Sequence, residues 1–339
     1  MLMETQCKNS IVQKKYCLSK QRKWSCMPAI LSHHLFGRAF LAREDNQAFM
    51  TRETRDAFLL GNQGPDPLFY ATLTPSLVGI KKLGSRMHRE HIEKYLSAWQ
   101  KMLEYSPKKN RRYEIMQAYL YGFLCHYVLD RTTHPLICAY QEAICHAGII
   151  GLDSKDYSFV HAQIEADLDV YLLHRLTGKT LKEYQIPKQV LYSSNAALAN
   201  IDVFYQVAAR INKMRVPHAA FSRSVKDMRT AVSLMYSPGG TKRELIGRVE
   251  RLARPHSLLQ AMSHCPEAYV DTWYANERRE PWLHPDTQRQ SCQSFIELFE
   301  EALDNAACAL ELLCTGVPKG DITRGLDFFG NKVSASETH

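Results

Sequence analysis

The sequence predicts an all-α protein built as a multi-helix bundle. From Ser32 onward, apolar residues recur at intervals of three and four over stretches long enough to form helices. Glycine- and proline-containing breakers separate these stretches, and the alternating apolar and polar pattern of β-strands is scarce. Because each amphipathic helix must bury its apolar stripe against another, the helices are expected to pack around a common core.

The helix-breaking segments mark where the predicted helices end. GNQGPDP at 61–67, Ser106-Pro107 and SPGG at 237–240 are the clearest stops. We expect one helical domain over residues 27–316, followed by a polar tail over 317–339. The helical segments are predicted at approximately 35–60, 86–105, 112–133, 135–147, 157–176, 188–213, 219–236, 242–254 and 287–314.

Residues 1–26 are predicted to be a basic arm outside the domain. They hold six Lys/Arg and one Glu, a net +5 of the chain's +8, so the rest of the chain is only about +3. This balance does not indicate a nucleic-acid binder, and no stable nucleic-acid partner is expected. Either the arm is disordered, or translation starts at Met27 and removal of that methionine exposes Pro28.

Composition excludes several classes of protein. A hydrophobic content of 45% excludes wholesale disorder, and no uncharged apolar run reaches the roughly 18 residues of a membrane span. The N-terminus lacks an apolar signal core, which predicts a cytoplasmic protein. The ten cysteines include no C-x-x-C pair, so a zinc ribbon is not indicated and the thiols are expected to be reduced.

Histidines and acidic residues at helical spacing are the clearest chemical signal. LCHYVLDRTTHP places His126, Asp130 and His134 at i, i+4 and i+8, and VHAQIE places His161 and Glu165 at i and i+4. Fourteen histidines and 35 acidic residues predict about 1.4 His-x-x-x-acid pairs by chance, and the sequence holds two. Two interpretations stay open at this point: a metal site inside the bundle, or ion pairs and core histidines without metal.

Five segments, in order, resemble the zinc-dependent phospholipase C/D family. This family includes bacterial zinc-dependent phospholipases C, the N-terminal domain of GPI-specific phospholipase D and, more distantly, single-strand nucleases. The resemblance covers roughly residues 27–180. The segments are LSHHLFGRAF (31–40), GPDPLFY (64–70), GSRMHRE (84–90), LCHYVLDRTTHP (124–135) and VHAQIE (160–165).

The resemblance implies a bundle of the phospholipase C/nuclease type whose internal helices hold up to three Zn²⁺ ions. The shorter spacing from Asp130 to His134 is similar to that of the GPI-specific phospholipase D domain rather than that of secreted bacterial members. If the arm is real, His34 or Cys26 is a candidate replacement for the terminal amine. The implied ligand sets are Asp66, His88 and His126 for one zinc; His134, His161 and Glu165 for a second; and His33, Asp130 and the Pro28 amine, if Met27 is the start, for the third.

The implied activity is hydrolysis of a phosphodiester by a metal-bound hydroxide, with Asp66 as general base and a glycerophospholipid as the favoured substrate. The alternatives are a nuclease or soluble phosphoesterase on the same cluster, or a non-catalytic helical binding protein stabilised by metal. The basic segment Lys108–Arg112 is either a solvated turn or a point of transient contact with an anionic membrane surface.

Overall fold

A computed structural model describes residues 29–43, 51–71, 79–108, 110–147, 151–266, 268 and 272–333. The basic arm, Cys26, Met27 and Pro28 lie outside the described residues, so the predictions about them stay predictions.

The structure confirms the all-α prediction. Within the described residues, the strands form a single short antiparallel hairpin that pairs Trp282 with Ser291 and Leu283 with Gln290. No helix in the same part of the chain is both long enough and apolar enough to cross a membrane. The elements are α1 (Ile30–Ala42), α2 (Arg52–Gly61), α3 (Ile80–Met87), α4 (Ile92–Glu104), α5 (Arg111–Ala147), α6 (Tyr157–Thr177), α7 (Leu181–Tyr184), α8 (Ile186–Gln189), α9 (Asn195–Ile211), α10 (Ala220–Met235), α11 (Thr241–Glu250), α12 (Leu258–Ala261), β1 (Trp282–Leu283), β2 (Gln290–Ser291), α13 (Phe295–Thr315) and α14 (Lys319–Thr323).

Several predicted helices differ from the structure: the one over 188–213 is interrupted between α8 and α9, and the one over 287–314 starts only at Phe295. Two further differences lie near the candidate ligands. Helix α5 runs continuously through Pro135, where the sequence predicted two helices. Proline removes one backbone donor, but the residues on both sides of it are buried, and their packing keeps the helix intact. Conversely, the predicted helix 86–105 is broken between α3 and α4, where His91 adopts a left-handed conformation with φ of 61°.

The chain divides into two compact units, each made of non-contiguous segments. The first unit contains the described residues of Met1–Ser32, Thr132–Ile186 and Leu234–Glu301. The second unit contains those of His33–Arg131, Pro187–Ser233 and Ala302–His339. The single domain over 27–316 stays a prediction.

An aromatic cluster forms the core of the second unit. Trp99 of α4 stacks on Phe204 of α9 with ring centroids 4.6 Å apart, and Phe123 of α5 meets Trp99 edge-on at 4.8 Å. The indole N–H of Trp99 donates to the Phe204 carbonyl at 3.0 Å, so its polar atom is satisfied in the core. These contacts fix α5 against α4 and α9.

Helices α2 and α5 cross with their backbones almost in contact at two glycines. A Cβ added to Gly61 would lie 2.4 Å from the Tyr119 carbonyl oxygen, and one added to Gly122 would lie 2.1 Å from the Phe58 carbonyl oxygen. Only glycine permits this approach. The crossing places the loop that follows α2 beside the middle of α5.

In the first unit, the carboxylate of Asp169 on α6 holds the start of α1. It accepts hydrogen bonds from the Leu31 N–H at 2.9 Å and from the Ser32 N–H and hydroxyl, both at 2.7 Å. His264 Nε2 contacts the same carboxylate at 2.9 Å. The free N–H groups of a helix N-terminus favour such an acceptor, which fixes where α1 begins.

Residues 319–333 are folded, which corrects the predicted polar tail over 317–339. Ile322, Phe328 and Phe329 are buried. The Tyr127 hydroxyl donates to the Leu326 carbonyl at 2.9 Å, and Arg131 donates to the Ile322 carbonyl at 2.7 Å. The sequence failed to show this because a few isolated apolar residues in a polar segment carry no periodic pattern.

Substituting Gly122→Ala is expected to destabilise the protein. The added methyl would overlap the Phe58 carbonyl oxygen, and overpacking of this kind costs about 1–3 kcal/mol. This exceeds the gain of about 1 kcal/mol in helix propensity. Thermal unfolding would measure the loss. The control is Gly239→Ala, where an added Cβ meets nothing within 4 Å. An unchanged melting temperature in Gly122→Ala would contradict the close crossing.

Candidate metal centre

Five predicted ligand residues lie together in the interior of the second unit. They come from α1, from the 3₁₀ turn Asp66–Tyr70, from the end of α3 and from α5. Each is at most 4% exposed. We call this set the five-residue cluster: His33, Asp66, His88, His126 and Asp130.

The atoms of the five-residue cluster are close enough to share cations. His33 Nε2 lies 3.1 Å from Asp130 Oδ1, His88 Nε2 lies 3.0 Å from Asp66 Oδ1, and His126 Nε2 lies 3.4 Å from Asp130 Oδ2. Potential ligand atoms converge within 4.8 Å in two overlapping groups. These are His33 with Asp66 and His126, and His88 with His126 and Asp130. His126 belongs to both groups, and the division of the ligands among individual ions stays a prediction.

Backbone carbonyls orient two of these imidazoles. His88 Nδ1 lies 2.8 Å from the Gly84 carbonyl oxygen, and His126 Nδ1 lies 3.0 Å from that of Asn62. A carbonyl accepts only a donated N–H, so we assign the proton to Nδ1 in both rings and the lone pair to Nε2. His126 Nε2 is buried and makes no hydrogen bond. A buried imidazole nitrogen that makes no hydrogen bond and lies near a carboxylate is a position suited to a metal ion.

The loop behind His126 is fitted to the ring. Gly64 has φ of +49°, and a Cβ there would lie 2.2 Å from His126 Cδ2. The Tyr205 hydroxyl donates to the Gly64 carbonyl at 2.7 Å and lies 2.6 Å from the Tyr119 hydroxyl. Two buried tyrosines and a close-packed glycine thus fix the backbone two residues before Asp66.

Phe328 forms an apolar side of the five-residue cluster that the sequence did not indicate. Its ring centroid lies 4.8 Å from that of His88 and 5.5 Å from that of His126. The Phe328 N–H donates to the His88 carbonyl at 3.0 Å. Since Phe328 lies more than 200 residues beyond its partners, local spacing carries no signal for this contact.

The first unit contains a second group of three candidate ligands, the set that the family resemblance implied for one zinc. His134 of α5 and His161 and Glu165 of α6 are each at most 3% exposed. The Nε2 atoms of His134 and His161 lie 3.4 Å and 3.3 Å from Glu165 Oε1. We call this set the three-residue group; its ligand atoms lie within 4.8 Å of one another.

Gln141 orients the three-residue group and was missed by sequence reasoning. Its Oε1 lies 2.9 Å from His161 Nδ1, so the ring donates there and presents the Nε2 lone pair to the group. His161 Nε2 and Glu165 Oε2 are buried and make no hydrogen bond. The available signal was spacing, because Gln141 follows His134 by seven residues on the same helical face.

Burial and neighbouring charges perturb these groups as expected for a metal centre. Burial raises the pKa of Asp66, and hydrogen bonding to His88 opposes the shift. Burial, followed by the charge of His33, holds the pKa of His126 well below its usual value. For Glu165, burial acts to raise the pKa, but His161 and His134 together lower it below its ordinary value. Unprotonated imidazoles and carboxylates are the ligands that zinc takes in proteins, so both sets fit this metal.

His34 lies outside all three convergent groups. It is buried and lines a cavity of about 630 Å³ whose other residues include Arg38 and Arg55. Burial, with the positive charges of Arg38 and Arg55, lowers the pKa of His34 to about 3. The structure therefore gives no support for His34 as a replacement ligand.

Comparison with known families agrees with this geometry. The family model of zinc-dependent phospholipase C matches residues 27–214, more than half of the chain and the whole span of both ligand sets. No curated protein and no solved structure gives a significant match.

We expect the purified chain to contain zinc, and the His126→Ala and His161→Ala variants to contain less, each by at least one ion per chain. Stripping the metal with a chelator is expected to lower the melting temperature, because the buried Nε2 atoms lose their partner. Inductively coupled plasma mass spectrometry and thermal unfolding are the measurements. His218→Ala, at an exposed histidine, is the control. A folded chain without zinc, purified without chelators, would contradict the assignment.

Substituting Gln141→Met is expected to weaken zinc binding about 10–100-fold, because the His161 ring loses the partner that orients it. Chelator competition would measure the affinity. The matched control is Gln117→Met, whose amide donates to the hydroxyls of Tyr113 and Tyr121 on the same helix. Equal affinities in the two variants would show that Gln141 does not support the metal.

Proposed function

We propose that this chain, which belongs to the zinc-dependent phospholipase C family, is a zinc-dependent phosphoric-ester hydrolase. It would cleave a phosphodiester bond, with a glycerophospholipid as the favoured substrate. The observation that carries the proposal is the convergence of eight buried imidazole and carboxylate side chains into two sets, in each of which one imidazole nitrogen, His126 Nε2 or His161 Nε2, makes no hydrogen bond. Buried nitrogens that make no hydrogen bond are costly without a ligand, and a bound cation would supply that ligand.

The three-residue group would hold one zinc, and the five-residue cluster would hold the remainder of up to three. The contribution of the Pro28 amine to the third ion stays a prediction. Zinc, when bound, supplies Lewis acidity to a phosphoryl oxygen and lowers the pKa of water toward about 7. The carboxylates of the two sets offset the positive charge that the ions bring into the interior.

Asp66 is the proposed general base. Its carboxylate is 1% exposed and lies against His88, so bulk water competes little for it. Burial raises its pKa, which makes the carboxylate a better proton acceptor than an ordinary aspartate. It would take the proton from the attacking water and hold it beside His88.

Two tyrosines position Asp66 without taking part in proton transfer. Burial raises the pKa of Tyr119 and of Tyr205 well above the usual value, so both hydroxyls stay protonated. Tyr205 therefore acts as a steady donor to the Gly64 carbonyl. This contact holds the turn that carries Asp66, because Gly64 and Asp66 are only two residues apart.

The test is Asp66→Asn. An amide cannot accept the proton, so turnover is expected to fall about 10²–10⁴-fold. Zinc bound by the three-residue group should be retained. Hydrolysis of short-chain phosphatidylcholine and of bis-p-nitrophenyl phosphate measures turnover, and mass spectrometry measures zinc. Asp304→Asn is the control, because this carboxylate lies on the surface beside Arg43.

The same substrates, together with single-stranded DNA, separate the alternatives. Turnover of DNA alone would favour a nuclease, and turnover of bis-p-nitrophenyl phosphate without phosphatidylcholine would favour a soluble phosphoesterase. Wild-type protein that binds zinc but hydrolyses none of the three substrates would leave a non-catalytic, metal-stabilised helical protein.

A further inference from the structure

Helix α11 exposes an apolar face. Leu245, Val249 and Leu252 are 62%, 61% and 89% exposed. Their spacing of i, i+4 and i+7 puts all three on one side of the helix. The Leu252 N–H donates to the Val249 carbonyl at 3.2 Å, so the helical path continues as far as the third residue. Burying these side chains would be favourable, so their shared exposure indicates a surface that binds a partner.

The opposite face of α11 is anchored to the rest of the first unit. Gly247 is packed so closely on α12 that a Cβ there would lie 2.1 Å from Gln260 Oε1. Arg243 donates to the Ser263 carbonyl at 3.0 Å and to Gln163 Oε1 at 3.1 Å. These contacts hold the helix in one orientation, so the apolar face stays directed away from the core.

The exposure is concentrated in one part of the chain. Among the described residues, eight large apolar side chains are exposed, and five of them lie between positions 234 and 259. Besides the three on α11, these are Leu234 and Leu259, at 65% and 46%. Isolated exposed leucines are ordinary, but a concentration of this kind indicates an interaction surface.

Positive charges border the apolar face on both sides. At 100° per residue, Lys242 and Arg248 lie about 60° either side of Leu245. Residues 241–254 contain five Lys/Arg and two Glu, a net charge of +3. The centres of protein–protein interfaces are instead depleted in charge, and lysine is depleted throughout them. An apolar stripe between cations is the arrangement of a helix that lies in the surface of an anionic membrane.

We infer that the α11 face, formed by Leu245, Val249 and Leu252 with Lys242 and Arg248, docks on membranes that contain anionic phospholipids. The leucines and valine would enter the acyl boundary while the two cations meet lipid phosphates. Its use in catalysis rests on the proposed function, because docking would bring a glycerophospholipase to its substrate. The geometry suits this use. Arg243 ties α11 to Gln163, which lies between His161 and Glu165 on α6.

The basic segment Lys108–Arg112, which the sequence singled out for membrane contact, offers a weaker surface. Arg111 is already paired with Glu53, and Lys109 lies outside the described residues. Contact between this segment and a membrane stays a prediction.

Co-sedimentation of the full chain with vesicles tests the inference. We expect binding to vesicles of phosphatidylcholine with phosphatidylserine, and much less to phosphatidylcholine alone. Leu245→Ser and Leu252→Ser are each expected to lower the partition coefficient about tenfold. Lys242→Gln and Arg248→Gln are each expected to lower it about fivefold on the mixed vesicles, and added salt should reproduce that loss.

The control is Leu176→Ser, which removes an exposed leucine on α6 and should leave the partition coefficient unchanged. Thermal unfolding shows that each variant is folded. Wild-type protein that ignores anionic vesicles, or α11 variants that bind like the control, would overturn the inference. So would a wild-type dimer in the analytical ultracentrifuge that the leucine variants convert to monomer, because a second copy would then cover the face.

Hydrolysis of a soluble short-chain substrate by the wild-type chain is measured separately. Vesicle binding without hydrolysis would overturn the proposed function and leave the docking surface standing. Hydrolysis without vesicle binding would overturn the docking surface and leave the proposed function standing.

Discussion

The rest of this structure depends on the burial of ionisable side chains. Eight imidazoles and carboxylates lie inside the protein at exposures of 4% or less. Each would be costly there alone, and pairing with one another or binding cations would offset that cost. The supporting contacts serve this requirement. Asn62, Gly84 and Gln141 occupy the outward nitrogens of three imidazoles, which leaves the inward ones to bind metal. The cluster therefore depends on outer contacts as much as on its own ligands.

Helix α5 is the element that joins this chemistry along the chain. It supplies His126 and Asp130 to the second unit and His134 and Gln141 to the first. The helix runs unbroken through Pro135, although an interior proline costs a helix about 3 kcal/mol. The buried flanks on both sides offset this cost. The glycine crossing at Gly122 serves the same helix, because it brings the Asn62–Asp66 loop within reach of the His126 ring.

Local spacing accounted for part of the site and family resemblance for the rest. The i, i+4 pattern on α5 and α6 found His126, Asp130, His134, His161 and Glu165, because ligands on one helical face must recur at that interval. His33, Asp66 and His88 have no such partners nearby, and only their resemblance to family segments indicated them. Neither spacing nor resemblance indicated Asn62 and Phe328, since Asn62 acts through its backbone carbonyl and Phe328 lies near the far end of the chain. Helix boundaries failed where tertiary packing decided the outcome, at Pro135 and at His91.

Helix α11 shows a further limit of periodicity. Its apolar residues recur at the same intervals as those of the core helices, and the sequence accordingly predicted a bundle helix over 242–254. A periodic pattern identifies an apolar face but not what covers it. In the structure, Gly247 and Arg243 face Gln260 and Ser263, whereas the leucines are exposed. The face of α11 that packs on the rest of the protein is therefore the one with Gly247 and Arg243. The face with the leucines is free to contact an apolar phase outside the protein. On the proposed function, a phase that combines acyl chains with anionic phosphates would also be the surface on which the substrate lies.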